Sequence, residues 1–406
     1  MSAATVASSL LLGPSGAASA ASAGDAGDDT SLGRTRVAAL YYGRIDRTEQ
    51  RSRAASFALV VLNMWPSMGR PTMQATIDAI RRQNPNAKIA QYVVLNELQP
   101  VKEGEDQFPL VQAVERNGWW ARDRAGRRVQ WTAAFKAHEV NLTRWAPADA
   151  EGRRWPELKA DADTGNFFGA LKGLNYAFVD NVFDRPRVEA DWKGTGENQG
   201  RNDAEVQSAY RQGYVDYWQA LRARNPGLQI MVNADHDLGA PEYRGQVEGA
   251  FLECQIGRNW SIEGRVGWAA MMNRYRSALA HTRGPRDVVL QACGGADDVE
   301  LMRYGLASAL LADGYYTYSV PGQAQPPWFD DYALSIGRPV EPEPQSAAEG
   351  GVWRRRYSGG IVLVNPGPFS ATVEIEPGYR RADGPVNERK VQLPARRGVL
   401  LVRTAR

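Results

Sequence analysis

The chain is poor in the residues on which metal and thiol chemistry usually depend. Its 406 residues include only two cysteines, Cys254 and Cys293, and three histidines, His138, His236 and His281. Two cysteines make no disulfide framework, and both read most simply as buried thiols at strand ends. The histidines stand at no spacing that a zinc site uses, so metal chemistry would fall to carboxylates. An excess of one charge is missing too. The 49 basic and 46 acidic residues leave a net charge of +3, which gives no bulk attraction for nucleic acid or anionic lipid. No apolar run of about 18 to 20 residues occurs, so no membrane insertion is expected. No G-x-G-x-x-G or G-x-x-x-x-G-K-[ST] follows a strand-like segment, which removes the phosphate-cradling signatures. G-x-S-x-G, the signature of a Ser-His-Asp hydrolase, is absent as well.

What remains is the composition of an ordinary globular chain, 43% hydrophobic and 23% charged, rich in flat side chains with twelve tryptophans and sixteen tyrosines. Such rings serve cores and sugar-stacking surfaces equally well. Residues 1–34 are small and Ala/Ser/Gly-rich. An apolar run, Val6 to Leu12, precedes an A-S-A sequence at Ala21 to Ala23. This is the latter part of a secretory signal without its basic n-region, and it predicts a secreted or periplasmic protein. The alternatives are a disordered terminus or a start that lies upstream of Met1.

From residue 35 short apolar runs alternate with helix-like segments. Eight strands are expected: Val37–Tyr42, Phe57–Asn63, Ile89–Leu95, Tyr176–Val182, Gln229–Asn233, Ala250–Glu253, Val288–Ala292 and Tyr315–Val320. Helices are expected over Thr72–Asn84, Asp203–Asn225, Arg265–Arg283 and Val299–Leu311, the first two ending at Asn-Pro. Near-continuous apolar strands imply burial on both faces. Eight such units fit a (β/α)8 TIM barrel over 35–338, with an open doubly wound sheet as the alternative. The segment Gln99 to Gly173, with five tryptophans and the extended piece His138–Thr143, reads as a long excursion building the barrel rim. After Pro339, Pro342 and Pro344, short turn-punctuated runs at Val352–Tyr357, Gly360–Asn365, Ala371–Ile375 and Val391–Val402 predict a small antiparallel β-sheet domain over 350–406. The run Arg354–Arg356 reads as a solvated strand face.

Residues at the C-terminal ends of barrel strands face the mouth. YAFVDNVF at Tyr176–Phe183 places Asp180 there, with Phe178 and Tyr176 below it by the strand period. GAFLE at Gly249–Glu253 places Glu253 on the side of Phe251, where burial beside rings raises a carboxyl's pKa. One ionised and one protonated carboxyl are what glycoside cleavage needs. The competing readings are a turn-capping or arginine-paired Asp180, and a salt bridge from Glu253 to Arg258. Expected substrate contacts are Tyr42, Glu97, Asn181, Asn233, Asp235, Gln291, Tyr318 and Trp328, with Trp328 on an aromatic loop fit for a lid or sugar platform. His236 beside Asp235 reads as an incidental loop histidine before it reads as a base.

Several segments together are similar to a known family: YVVLNE at Tyr92–Glu97, VNLT at Val140–Thr143, FVDNV at Phe178–Val182, EGAFLE at Glu248–Glu253, RYGLASALLADGYYTYSV at Arg303–Val320 and WFDDYALSIGRP at Trp328–Pro339. The chain resembles glycosyl-hydrolase-like family 15, and more distantly the endo-α-1,4-polygalactosaminidases. That resemblance implies a barrel glycosidase. It implies Asp180 as nucleophile or electrostatic partner and Glu253 as acid/base. Two features depart from the pattern: Asp331 stands where a Glu is expected, and the polar stretch Lys193–Asn202 has no counterpart. The expected activity is hydrolysis of a polysaccharide, an exopolysaccharide or cell-wall glycan, by a monomer that needs no cofactor or metal, with no nucleic-acid partner. The alternatives are a non-catalytic glycan-binding barrel and a metal-assisted carbohydrate deacetylase. Glycan identity, linkage, endo or exo action and stereochemical outcome are open at this level.

Overall fold

The computed structural model describes residues 35–257, 260–348, 351–381 and 389–404. The signal-like segment over 1–34 lies outside them, as does Arg258, the partner considered for Glu253. Eight parallel strands form one sheet in sequential order: β1 (Ala38–Tyr41), β2 (Leu59–Leu62), β3 (Lys88–Val94), β4 (Tyr176–Val182), β5 (Gln229–Ala234), β6 (Gly249–Ile256), β7 (Asp287–Cys293) and β8 (Tyr315–Ser319). A parallel bridge between Val37 and Tyr316, with the Tyr316 amide donating to the Arg36 carbonyl, joins the last strand to the first and closes a TIM barrel. All eight strand expectations hold, with no end moved by more than three residues.

The helices follow from local signals. Helix α1 (Thr48–Ala55) connects β1 to β2, and α2 (Arg70–Gln83) connects β2 to β3. Helices α3 (Phe108–Arg116) and α4 (Trp155–Asp163) lie in the excursion between β3 and β4. Helix α5 (Ala204–Arg224) starts at Asp203, whose carboxylate accepts the Glu205 and Val206 amides, and stops before Asn225-Pro226. The single helix expected over Arg265–Arg283 is two, α6 (Ile262–Val266) and α7 (Trp268–His281), because Gly267 sits between them at φ 86°, a conformation glycine adopts without penalty. Helix α8 (Val299–Leu310) is capped by Asp298. None of these helices is long and apolar enough to cross a membrane.

Strand alternation divides the apolar residues into two cores. Leu40, Val61, Ala90, Phe178, Met231, Phe251 and Val289 fill the barrel interior, while a larger cluster packs the outer strand faces against the helices. The interior is floored by charge. Lys88 Nζ lies 2.7 and 2.9 Å from the Asp287 carboxylate, which also accepts the Tyr176 hydroxyl, and the Lys88 ammonium stands over the Tyr315 ring.

The excursion corrects one expectation about the tryptophans. Trp119 and Trp155 are fully buried and donate their indole N–H to the Pro147 and Leu95 carbonyls, so they hold the excursion together instead of lining the rim. Trp131 alone of the five is exposed.

After the barrel come β9 (Gln345–Ala348), β10 (Val352–Tyr357), β11 (Gly360–Asn365), β12 (Ala371–Glu374), β13 (Tyr379–Arg381), β14 (Lys390–Leu393) and β15 (Arg397–Arg403). Five of them form an antiparallel sheet in the order β9-β10-β11-β15-β13, and β12 pairs with β14. The stretch expected as one strand over Val391–Val402 is β14 and β15, broken at Pro394, which has no amide to donate. The sheet packs directly on α8. A Cβ at Gly398 would meet the Arg303 carbonyl at 2.8 Å, and the Tyr357 hydroxyl donates to the Leu310 carbonyl. Of the arginine run, Arg355 is 1% exposed and donates to Asp313 and to chain carbonyls, so it is a seam residue and not a solvated one.

Candidate active site

The barrel mouth brings the two acids together through a third residue. Asp180 near the end of β4 and Glu253 on β6 flank Asn233 on β5, and one amide nitrogen serves both. Asn233 Nδ2 donates to Asp180 Oδ1 at 2.8 Å and to Glu253 Oε2 at 3.0 Å. Two bonds to one nitrogen keep those oxygens within about 6 Å of each other. The Tyr92 hydroxyl donates to the other Asp180 oxygen, Oδ2, and its ring stacks on Phe178 inside the barrel. Burial and the Asp180 charge hold the Tyr92 phenol far above its ordinary range, so it stays a donor.

Glu253 differs from its partner in setting. Its side chain opens to the cleft, but neighbouring atoms crowd the carboxyl. That crowding pushes its pKa up, the Asn233 hydrogen bond pulls it down and the Asp180 charge adds a further push upward. Tyr42, at the end of β1, is raised by burial first and then by the Glu253 and Asp180 charges, which places its hydroxyl in the field of both.

Both acids leave their strands at the same kind of irregularity. The β4–β5 register shifts between Val179 and Val182, and the β6–β7 register between Leu252 and Ile256. The residue after each acid has a left-handed backbone: Asn181 at φ 58° and Cys254 at φ 43°. Such bulges re-aim side chains beside active sites. The Asn181 carbonyl accepts the Tyr214 hydroxyl at 2.6 Å, and its amide donates to Glu97 at 3.1 Å.

Glu97 sits behind Asp180 and also accepts the Trp131 indole N–H at 3.0 Å. Burial raises its pKa, while Arg187 and the indole bond oppose the rise. Arg187 in turn lies 4.1 Å from the Trp131 ring centre and 3.9 Å from Glu139. Glu139, 1% exposed, is raised by burial to about 7.

Two cavities open on either side of Tyr42. One, of about 600 Å³, is lined by Tyr42, Trp65, Tyr92, Glu97, Asp106 and Phe135. The other, of about 490 Å³, is lined by Tyr42, Glu253, Trp260, Gln291 and Ser319 among others. Glu253 lines the second, and Tyr92, the donor to Asp180, lines the first. A further cavity, at the seam with the C-terminal sheet, contains neither acid.

The remaining sequence-predicted residues divide. Gln291 is buried at the foot of the Glu253 cavity, donating to Ser319 Oγ and accepting the Cys254 amide. Asp235 is exposed and lines neither cavity. Two placements correct the expectation. Tyr318 is buried with its hydroxyl on the Gly295 carbonyl, and Trp328 packs edge-on against Phe57 and Tyr332; each was drawn inward by apolar neighbours that sequence spacing does not reveal. His236 stacks on Tyr243, and burial lowers its pKa. Asp331, the departure from the family pattern, forms an ion pair with Arg303.

Cys254 and Cys293 are not thiols but a disulfide. Neighbouring strand ends bring their Cα atoms to 5.2 Å, within bridging range, although 39 positions separate them in the chain. Among the described residues no three His, Cys, Asp or Glu side chains are grouped to hold a metal ion. Sequence reasoning missed Tyr92 and Trp260. Tyr92 had a usable signal, since it falls on the inward face of β3 by the same alternation that placed Asp180 on β4.

A family model described as hypothetical glycosyl hydrolase family 15 matches residues 81–361. No curated protein matches the chain. Among solved structures, the type III pullulan hydrolase from Thermococcus kodakarensis is similar at 13% identity and TM-score 0.54, over 91% of this chain and 75% of that one. An alpha-amylase from Lactobacillus plantarum is similar at 11% identity and TM-score 0.51, over 91% and 98%. The glycoside hydrolase domain of PelA from Pseudomonas aeruginosa matches at 16% identity and TM-score 0.44, over 70% and 94%. At these identities the likeness to the first two is one of fold.

Proposed function

The chain belongs to hypothetical glycosyl hydrolase family 15, and from that premise we propose that it is a glycoside hydrolase cutting a polysaccharide, an exopolysaccharide or cell-wall glycan, with Asp180 and Glu253 as the reacting pair. The observation that carries this reading is the single Asn233 amide shared by the two carboxyls. It keeps the two acceptor oxygens within about 6 Å of each other, which supports the closer carboxyl pairing of retaining enzymes, at about 5–5.5 Å, over the about 6.5–9.5 Å of inverting ones.

Asp180, held by Tyr92 and Asn233, attacks the anomeric carbon. Glu253, whose raised pKa favours the protonated form, gives its proton to the departing glycosidic oxygen. A covalent glycosyl ester on Asp180 results. Glu253, now ionised, takes a proton from water, which attacks the same carbon and frees Asp180. Tyr42, between the two cavities, and Glu97 with Asn181, behind Asp180, serve to orient sugar hydroxyls and the nucleophile. With Tyr92 on one cavity, Glu253 on the other and Tyr42 on both, the arrangement suits a glycan chain that lies across the acids, hence internal cleavage.

Incubation with a panel of bacterial and plant polysaccharides, read by mass spectrometry for released oligosaccharides, tests the reading. Asp180→Asn and Glu253→Gln are each expected to lose about 10³-fold in rate while keeping glycan affinity by calorimetry. A wild type that binds one glycan of the panel and cuts none makes the protein a glycan-binding barrel instead.

We further place the protein outside the cytoplasm. A disulfide persists in oxidising compartments, and residues 1–34 have the apolar run and small-residue site of an export signal. Mass analysis of the protein from cells and medium tests this. Intact residues 1–34 on protein found only inside the cell would overturn it.

A further inference from the structure

Each acid stands at a bulge, of one extra residue on β4 and two on β6, and the bulges are held in different ways. After Asp180 the left-handed position is taken by Asn181, a residue type that tolerates that backbone and whose side chain and carbonyl are both tied down. After Glu253 it is taken by Cys254 at φ 43°, a residue with no such tolerance. A conformation of this kind persists only where its surroundings over-determine it. Here three ties do so. The Cys254 amide donates to Gln291 Oε1 at 3.0 Å, the Glu253 carbonyl accepts Gln255 Nε2 at 3.0 Å, and the Cys254 sulfur is bonded to Cys293 at the end of β7. The strand ends are pressed together just beyond, where a Cβ at Gly257 would meet the Cys293 carbonyl at 2.8 Å.

We infer that the Cys254–Cys293 disulfide is a positioning element for Glu253: it holds the β6 bulge in the backbone conformation that keeps this carboxyl on the Asn233 amide, opposite Asp180. The inference rests on the reading of Glu253 as proton donor. The crosslink does by covalent constraint on β6 what asparagine does by intrinsic preference on β4. Of the five residues at the two bulges, Asp180, Asn181, Glu253, Cys254 and Gln255, only Cys254 is covalently bonded to a neighbouring strand, and it directly follows the acid.

Two full-length variants separate positioning from simple bracing. Cys254→Ala/Cys293→Ala removes the crosslink and leaves a residue that resists the left-handed backbone. Cys254→Asn/Cys293→Ala removes the same crosslink and installs the residue that solves the problem at Asn181. If the bond only braces the fold, both lose thermal stability and both keep the wild-type kcat. If it positions Glu253, the alanine pair loses at least 30-fold in kcat with KM little changed, and the asparagine pair recovers most of that loss. The alkaline limb of its rate profile returns toward the wild-type position as well. Native reduction of the wild type with a phosphine, checked by mass after alkylation, gives the same comparison without a substitution should the alanine pair not fold.

Equal kcat in crosslinked, reduced and doubly substituted protein would overturn the inference while leaving the hydrolase reading in place. If the wild type cuts no glycan, the hydrolase reading fails separately. The positioning is then judged by carbon-13 NMR titration of the Glu253 carboxyl, assigned against Glu253→Gln. A titration midpoint that moves on reduction supports it, and one that does not move overturns it.

Discussion

Replacing Asn233 by alanine removes a group that touches both carboxyls, so it tests the geometry more directly than removing either acid. Two hydrogen bonds are lost, at 2.8 Å to Asp180 and 3.0 Å to Glu253. A hydrogen bond to a charged group contributes about 1.5–3 kcal/mol, and Asp180 keeps its second donor, Tyr92. A loss near 2 kcal/mol in the transition state is therefore expected, or about 30-fold in kcat. The pH profile carries a sign as well. The Asn233 bond favours the ionised Glu253 carboxyl, so its removal raises an already raised pKa. Glu253 must be protonated to act, so the alkaline limb of kcat/KM moves to higher pH even as the maximum falls. Initial rates on the glycan cut by wild type, taken across pH, read both quantities. A variant with wild-type kcat and an unmoved alkaline limb would refute the claim that this amide organises the pair.

Other expectations are simpler. Trp260, half exposed beside Glu253 in the smaller cavity, is placed to stack on a sugar ring; Trp260→Ala should raise KM about 5- to 10-fold, as a lost aromatic contact of about 1–1.5 kcal/mol implies, and leave kcat within twofold. Glu139 has its folded pKa raised from 4.5 to about 7, so the native state holds a proton that the unfolded chain has released. Its contribution is complete below pH 4.5 and lost as pH rises through about 7, a change of about 3 kcal/mol. Glu139→Gln should flatten that part of the stability curve, and denaturant melts at pH 5 and pH 8 with no narrowing of the gap would refute it.

The barrel was legible because its signals are local. Each strand is a short apolar run, and Asp203 and Asn225-Pro226 mark both ends of α5. The acids were legible for a related reason: alternation along FVD and FLE places Asp180 and Glu253 on the inward face at a strand end. What stayed hidden depends on distant partners. Helices α3 and α4 are only nine residues each, about two and a half turns, inside a long excursion held by buried indoles. Tyr318 and Trp328 look like Tyr42 in sequence, but neighbours on other elements take them inward. The disulfide is a meeting of two strand ends that no spacing rule foretells. Arg355 looked solvated because three arginines in a row read as a polar face, whereas Arg354 and Arg356 are half-buried beside Glu341 and Arg355 faces α8 from the other side of the strand.

The seam at Gly398 and Arg355 bears on how this molecule can be taken apart. With the β15 backbone lying on α8 too closely to admit a methyl group, the terminal sheet stands where a barrel would otherwise show its outer helix to water. The last third of α8 has no solvent-ready surface of its own, as Ser308, Ala309 and Leu310 are covered. Separating the two pieces would therefore uncover an apolar wall, and shuffling of this barrel onto other appendages is constrained to partners that carry a replacement cover for that helix.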